Sequence, residues 1–342
     1  MPRIVAAPDK FRGTVTAVGA ARALAVGARS VGWEATGVPL ADGGEGLLEA
    51  CAAVCPEEVS TVVAGPDGRP VTAHWRLGDG VAVVESARAS GLLLAGGPEG
   101  NDPVSATSRG TGELLVAAAD RVGPGGTVVV GLGGSATTDG GLGALDAVRA
   151  AGGTGDVQVV GACDVDTRFV DAARLFGPQK GADPGQVAAL TGRLERLADR
   201  YLAEGTDVRS VAGAGAAGGL GGALVVLGGS LRSGYRLVAD LVGLDRALDG
   251  ADRVVTGEGA LDRTSFDGKV VGGVIGDARA RGLPVLVVAG RCTLQGEEAA
   301  WTAGCDVVSL VDRFGPDRAV DGTAGLLAEV VADWLGPSDH GG

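Results

Sequence analysis

The stretch that most constrains this chain is Gly131-Leu132-Gly133-Gly134-Ser135-Ala136-Thr137-Thr138-Asp139-Gly140-Gly141-Leu142-Gly143. It follows Thr127-Val128-Val129-Val130, a β-branched run that reads as a buried strand, and it leads into an apolar segment from Leu142 that reads as a helix. A strand, a glycine loop and a helix start turn backbone N–H groups toward an anion. Glycine lets the backbone approach a phosphate, and Ser135, Thr137 and Thr138 add hydroxyl donors. One such loop is equally a tight turn in which glycine supplies positive φ. Here the pattern recurs.

A first strand over residues 3–7 runs into Pro8-Asp9-Lys10-Phe11-Arg12-Gly13-Thr14, and Thr14 or Thr16 can cap an alanine-rich helix ending near residue 30. A second strand, residues 35–40, ends in Ala41-Asp42-Gly43-Gly44-Glu45-Gly46 ahead of another helix. Residues 59–64, 70–77 and 80–86 then read as short antiparallel strands joined by glycine turns, which marks a domain boundary near residue 60. A helix after Thr111 leads to the opening loop. A strand over 157–163, a loop containing Gly177-Pro178-Gln179-Lys180 and a helix over 185–202 come next. Gly213-Ala214-Gly215-Ala216-Ala217-Gly218 fits G-x-G-x-x-G, but no acidic residue ends a strand about twenty positions later. From residue 237 helix and strand alternate again. A strand over 253–256 ends in Gly257-Glu258-Gly259-Ala260-Leu261-Asp262, with Gly268-Lys269 beyond; helices over 270–281, 297–303 and 323–334 and strands over 285–289 and 306–310 follow.

These elements predict an α/β chain of two domains. Residues 1–60 and 236–342 form a discontinuous Rossmann-like domain with a parallel sheet, and a mixed α/β domain, residues 61–235, is inserted in it. Its 63 glycines, against an ordinary usage of roughly 7%, have no collagen period and cluster where apolar runs end. Aromatics are 3%, so Val, Leu and Ala must pack the core. A net charge of −13 argues against nucleic acid as a partner. Five scattered cysteines suit a reducing compartment, and no apolar run approaches the 18 or so residues of a membrane span. A cytoplasmic monomer or homodimer is the expectation.

Of 29 basic residues only Lys10, Lys180 and Lys269 are lysines, and all three lie in glycine- or proline-punctuated segments. A compact ammonium acting as a point charge on phosphate is one reason to keep lysine against such a bias. The cleft between the domains is expected to gather Asp9, Lys10, Asp42, Glu45, Ser135, Asp139, Lys180, Glu258, Asp262 and Lys269. Carboxylates, lysines and glycine loops together are what phosphoryl transfer from a metal-bound nucleotide requires. Neither a Walker A loop nor a protein-kinase catalytic loop is present.

The segments beginning at Ala7, Pro39, Gly133, Phe176 and Gly213, with Thr256-Gly257-Glu258-Gly259-Ala260-Leu261-Asp262 and Gly268-Lys269, resemble in order the bacterial type I glycerate kinases. The resemblance implies phosphorylation of D-glycerate with ATP and Mg²⁺, giving 2-phosphoglycerate in many members, on a two-domain α/β fold. Arg12, Ala260 and Arg263-Thr264 depart from the common family pattern, which leaves another small hydroxy acid open as acceptor. Phosphate and nucleotide contacts are expected from Gly133, Gly134, Ser135, Thr137, Thr138 and Gly215, with Lys180 and Lys269. Lys10, Arg12, Asp9, Glu45 and the amides of Gly43 and Gly44 are expected around the acceptor.

Neither histidine, His74 in mid-strand nor His340 near the C-terminus, suits a base, so a carboxylate is expected to take the hydroxyl proton. Asp42, Asp139, Glu258 and Asp262 are the candidates. Asp139 is favoured for its place beside the phosphate loop, with Glu258 and Asp262 near Mg²⁺ and Asp42 orienting the acceptor. Two other classes are weighed against the kinase. A dinucleotide-dependent oxidoreductase would use Gly213 to Gly218, and a catalytically silent binding protein would share the fold.

Overall fold

The computed structural model describes residues 1–336, apart from the side chains of residues 296, 297 and 299. His340 therefore lies outside the described residues. In chain order the strands are β1 Arg3–Ala6, β2 Glu34–Gly37, β3 Glu57–Ala64, β4 Pro70–Gly78, β5 Val81–Glu85, β6 Thr127–Gly131, β7 Gln158–Ala162, β8 Ser230–Arg232, β9 Arg253–Leu261, β10 Val285–Cys292 and β11 Asp306–Ser309. The chain divides into two units, Met1–Asp42 with Tyr235 onward, and Gly43–Gly234.

In the first unit five strands form a sheet in the order β11-β10-β9-β1-β2, and every neighbouring pair is parallel. Parallel strands need long crossovers, which helices such as Ala17–Ser30 and Val270–Arg279 supply. Of the two caps offered by the sequence, Thr16 is the one used, its hydroxyl accepting from the Gly19 N–H at 3.2 Å. The Ile4, Leu24, Val255, Leu286 and Leu327 side chains share one core. From β1 the chain moves to one side to form β2 and later returns on the other side as β9. The C-terminal ends of β1 and β9 thus flank the point where strand order reverses, where open α/β sheets bind ligands.

β9 is longer than the sequence suggests. The Gly257-to-Leu261 segment reads as a loop, yet it stays in register with β10, Glu258 opposite Ala289 and Ala260 opposite Arg291. Glycine permits this, because a Cβ on Gly257 would lie 2.0 Å from the Val288 carbonyl oxygen. Glu258 is therefore held on a strand.

The second unit carries a six-stranded sheet, β3-β4-β5-β6-β7-β8, antiparallel from β3 to β5 and parallel from β5 to β8. All three valines of β6 are buried, as expected for a parallel strand covered on both faces. The long helix is Pro184–Ala203, started by Pro184 and a capping box between Asp183 and Gln186. The unit begins at Gly43, not near residue 60, because the segment after β2 packs with the later strands. A Cβ on Gly43 would sit 2.8 Å from that of Ala162 in β7. The segment expected as a helix over 297–303 is a 3₁₀ helix, Gly296–Thr302.

Candidate active site

In the first unit, Asp9 follows β1 and donates its N–H to the Gly257 carbonyl at 2.9 Å, which fixes it beside β9. The residue is only 8% exposed. Oδ1 accepts the Lys10 N–H at 2.6 Å and lies 3.8 Å from the Lys10 ammonium. Burial nevertheless raises its pKa to about 6, opposed by Lys10 and reinforced by Asp42. Glu258 is pushed up further, to about 7, chiefly by burial, with the Asp9 charge adding to it and a hydrogen bond from Ser265 opposing. Its Oε1 is buried without a hydrogen-bond partner. Two carboxyls, one after β1 and one on the adjacent parallel β9, thus hold protons more tightly than ordinary carboxylates do.

Asp262 behaves oppositely. Its Oδ1 accepts from the Thr264 N–H and hydroxyl, each at 2.8 Å, capping the 3₁₀ turn Arg263–Phe266, and these bonds lower its pKa. Lys269 donates from Nζ to the Thr264 hydroxyl at 2.9 Å and stands at the N-cap of Val270–Arg279. Asp42 lies close enough to raise Asp9, whereas the Arg12 side chain is exposed. Arg291, opposite Ala260 and exposed, is a cation that sequence reasoning missed; only the extended pairing of β9 reveals it.

Glu258 and Asp262 do not fit as a ready-made Mg²⁺ site. Among the described residues no group of three or more His, Cys, Asp or Glu gathers to hold an ion. Asp262 already caps a turn. Mg²⁺ is usually held by one or two carboxylates together with substrate phosphates.

In the second unit, Lys180 is 3% exposed and donates from Nζ to Ser135 Oγ at 2.9 Å and to the Thr137 carbonyl at 2.7 Å. Burial lowers its pKa to about 8, against the raising effect of Asp139. An ammonium has three N–H donors, and among the described residues only these two acceptors are present. The amides of Gly133, Gly134 and Ser135 likewise donate to no protein acceptor among the described residues. These groups border a cavity of about 360 Å³ whose walls include Leu132, Phe176 and Ala217.

Other expected site residues lie buried around the glycine loop. Asp139, favoured as the base, accepts from the Ser108 N–H and hydroxyl, both at 2.8 Å, from Gly141 N–H at 3.0 Å and from Gly143 N–H at 3.2 Å. Four donors, two of them from Ser108, fasten it in place, so it does not suit a role that needs an unoccupied oxygen facing substrate. The hydroxyls of Thr137 and Thr138 are buried without partners. Gly215 is also buried, where a Cβ would meet the Arg168 carbonyl oxygen at 2.4 Å. Gly218 packs similarly, a Cβ there falling 1.9 Å from the Thr137 carbonyl oxygen. Within the G-x-G-x-x-G run, Gly218 thus packs on the 137–141 loop, whereas Gly213 and Gly215 pack on residues 163–168.

Gly44 packs against Gly133, and Glu45 is exposed. The segment they occupy is held by Glu85 at the end of β5, which accepts from the Gly46 and Leu48 amides at 3.0 and 3.2 Å. Sequence reasoning passed over Glu85. A lone carboxylate closing the apolar run Val81-Ala82-Val83-Val84 was its only signal.

The chain matches the Glycerate kinase family over residues 4–152 and 149–335. It is 39% identical to the glycerate 2-kinase of Escherichia coli, an alignment covering 85% of this chain and 86% of that protein. An uncharacterised Mycobacterium tuberculosis protein is also 39% identical, with 96% of this chain and 91% of that one covered. The Bacillus subtilis protein named glycerate kinase is 36% identical, over 90% and 89% of the two chains. A crystal structure from Salmonella typhimurium LT2, provisionally called glycerate kinase 2, superposes with a TM-score of 0.81 at 32% identity, covering all of both chains. Matched along almost its whole length in both sequence and fold, this chain belongs to the glycerate kinase family.

Proposed function

We propose that the chain transfers the γ-phosphoryl group of ATP to a hydroxyl of D-glycerate, giving 2-phosphoglycerate. The glycerate oxygen bonds to the γ-phosphorus as the β–γ bridging bond breaks, ADP departs, and the hydroxyl proton passes to a protein carboxylate. Glu258, with Asp9 beside it, takes that proton. The observation that carries this role is the buried, unpartnered Oε1 of a carboxyl with a pKa of about 7, at the point where strand order reverses. A base is most effective when its pKa lies near the working pH. Lys10, Lys269 and Arg291 are the cations of the first unit nearest this chemistry in sequence or register, and they are suited to the glycerate carboxylate. Lys180 and the amides of residues 133–135 are suited to the nucleotide phosphates.

Mg²⁺ enters this reading carried by the nucleotide, where it neutralises phosphate charge. The same reading places the protein in the cytoplasm. In support, no helix among the described residues is long and apolar enough to cross a membrane, and the five cysteines are unpaired. An ATP-consumption screen over short hydroxy acids, with phosphorus NMR of the product, tests the proposal. Turnover with D-glycerate and a 2-phosphate signal are expected. A strong preference for a different hydroxy acid would replace glycerate, a second reading favoured by Ala260 and its register partner Arg291.

A further inference from the structure

We infer that the cavity in the second unit is the nucleoside pocket of the phosphoryl donor, its phosphate end formed by Lys180 and the amides of Gly133, Gly134 and Ser135. This rests on the ATP-dependent reading above and adds to it where the base and ribose bind. The cavity wall combines two chemistries. One part is a buried ammonium that retains an unspent donor, with three consecutive amides that bond to no protein acceptor among the described residues. Unspent donors at this density call for an anion. The other part is hydrocarbon, from Leu132, Phe176 and Ala217. A three-carbon hydroxy acid would leave most of the roughly 360 Å³ empty and set its hydroxyls against apolar walls. A purine nucleoside suits both volume and surface, since pockets of about 300–1,000 Å³ with apolar walls and few polar groups hold ligands of that size.

Ala217 adds a second observation. Among the described residues it is the one non-glycine residue with positive φ, +49°, and it lies in the cavity wall. Left-handed backbone at a residue bearing a Cβ is strained, and such strain concentrates at ligand sites. There the turn sets a methyl group in the wall.

The test is calorimetric titration of the full chain with three probes: ATP, adenosine and tripolyphosphate. Phe176→Ala removes an apolar wall and should weaken ATP and adenosine about tenfold while leaving tripolyphosphate within about twofold. Lys180→Met should reverse the pattern, losing tripolyphosphate and sparing adenosine. Val165→Trp, at an exposed wall position that leaves the core intact, should exclude adenosine and so covers the case in which Phe176→Ala fails to fold. Unchanged ATP affinity in folded Phe176→Ala and Val165→Trp would overturn the pocket. If glycerate is then still phosphorylated with an unaltered KM for ATP, only the pocket is wrong. If the nucleotide affinities shift as stated but no hydroxy acid is phosphorylated, the pocket stands and the proposed function falls.

Discussion

Glu258→Gln is expected to make the protein more stable and nearly inactive at once. The folded-state pKa of Glu258 is about 7, against 4.5 for an ordinary glutamate. The native state therefore binds this proton more tightly than the unfolded chain does. Stability consequently falls as pH rises from about 4.5 to about 7, then stays level, because above 7 folding must bury an ionised carboxylate. At 1.36 kcal/mol per pKa unit the penalty reaches at most about 3 kcal/mol at pH 8 and shrinks below about 1 kcal/mol at pH 5, partial solvation reducing both. Glutamine has the same shape, keeps an oxygen for the Ser265 hydroxyl and cannot ionise. Urea unfolding of both proteins at pH 5 and pH 8 measures the difference. A gain for the variant near 1–3 kcal/mol at pH 8 that largely disappears at pH 5 is expected. Meanwhile kcat should fall about 10²-fold or more, the usual scale for losing a general base. Equal stability of the two proteins at pH 8 would refute the burial argument. A stabilised variant with normal kcat would instead remove Glu258 from proton transfer.

Wild-type kcat/KM should be bell-shaped in pH, rising as the Asp9–Glu258 pair ionises through about 6 to 7 and falling as Lys180 loses its proton above about 8; a flat profile from pH 5.5 to 9 would contradict both assignments. Asp139→Asn should lower stability by about 2–4 kcal/mol in urea, because an amide cannot accept from all four donors. A fully stable variant with a strongly depressed kcat would restore Asp139 as the base. Gly218→Ala adds a methyl 1.9 Å from a carbonyl oxygen at a φ of +70° and should cost about 3 kcal/mol or more in the same assay. A loss below about 1 kcal/mol would mean the 137–141 loop yields easily. Arg291→Ala should raise KM for glycerate more than KM for ATP, and the reverse order would move Arg291 to the nucleotide side.

Local chemistry by itself determined much of this protein. Valine runs closed by glycine marked the parallel strands, Thr14 or Thr16 marked a helix start, and the antiparallel stretch between residues 59 and 86 showed a mixed sheet. These signals are legible because capping, alternation and turn chemistry act between residues a few positions apart. Lys180 was conspicuous as a lysine kept in an arginine-rich chain, and it is buried against the glycine loop. Tertiary structure alone decided how the carboxylates are held. Asp139 was singled out for standing near a glycine loop, but two of its four donors belong to Ser108, 31 residues away. Glu258 looked like one more acid beside glycine, yet its raised pKa comes from burial and from Asp9, some 250 positions earlier in the chain. The glycines of residues 213–218 mimicked a cofactor fingerprint because close approach to a backbone and close approach to a phosphate demand the same residue. Only the carbonyl of Thr137, 1.9 Å from where a Cβ on Gly218 would sit, shows which of the two they serve. Burial and long-range donors fix a carboxyl's protonation, and neither is a property of its neighbours in sequence.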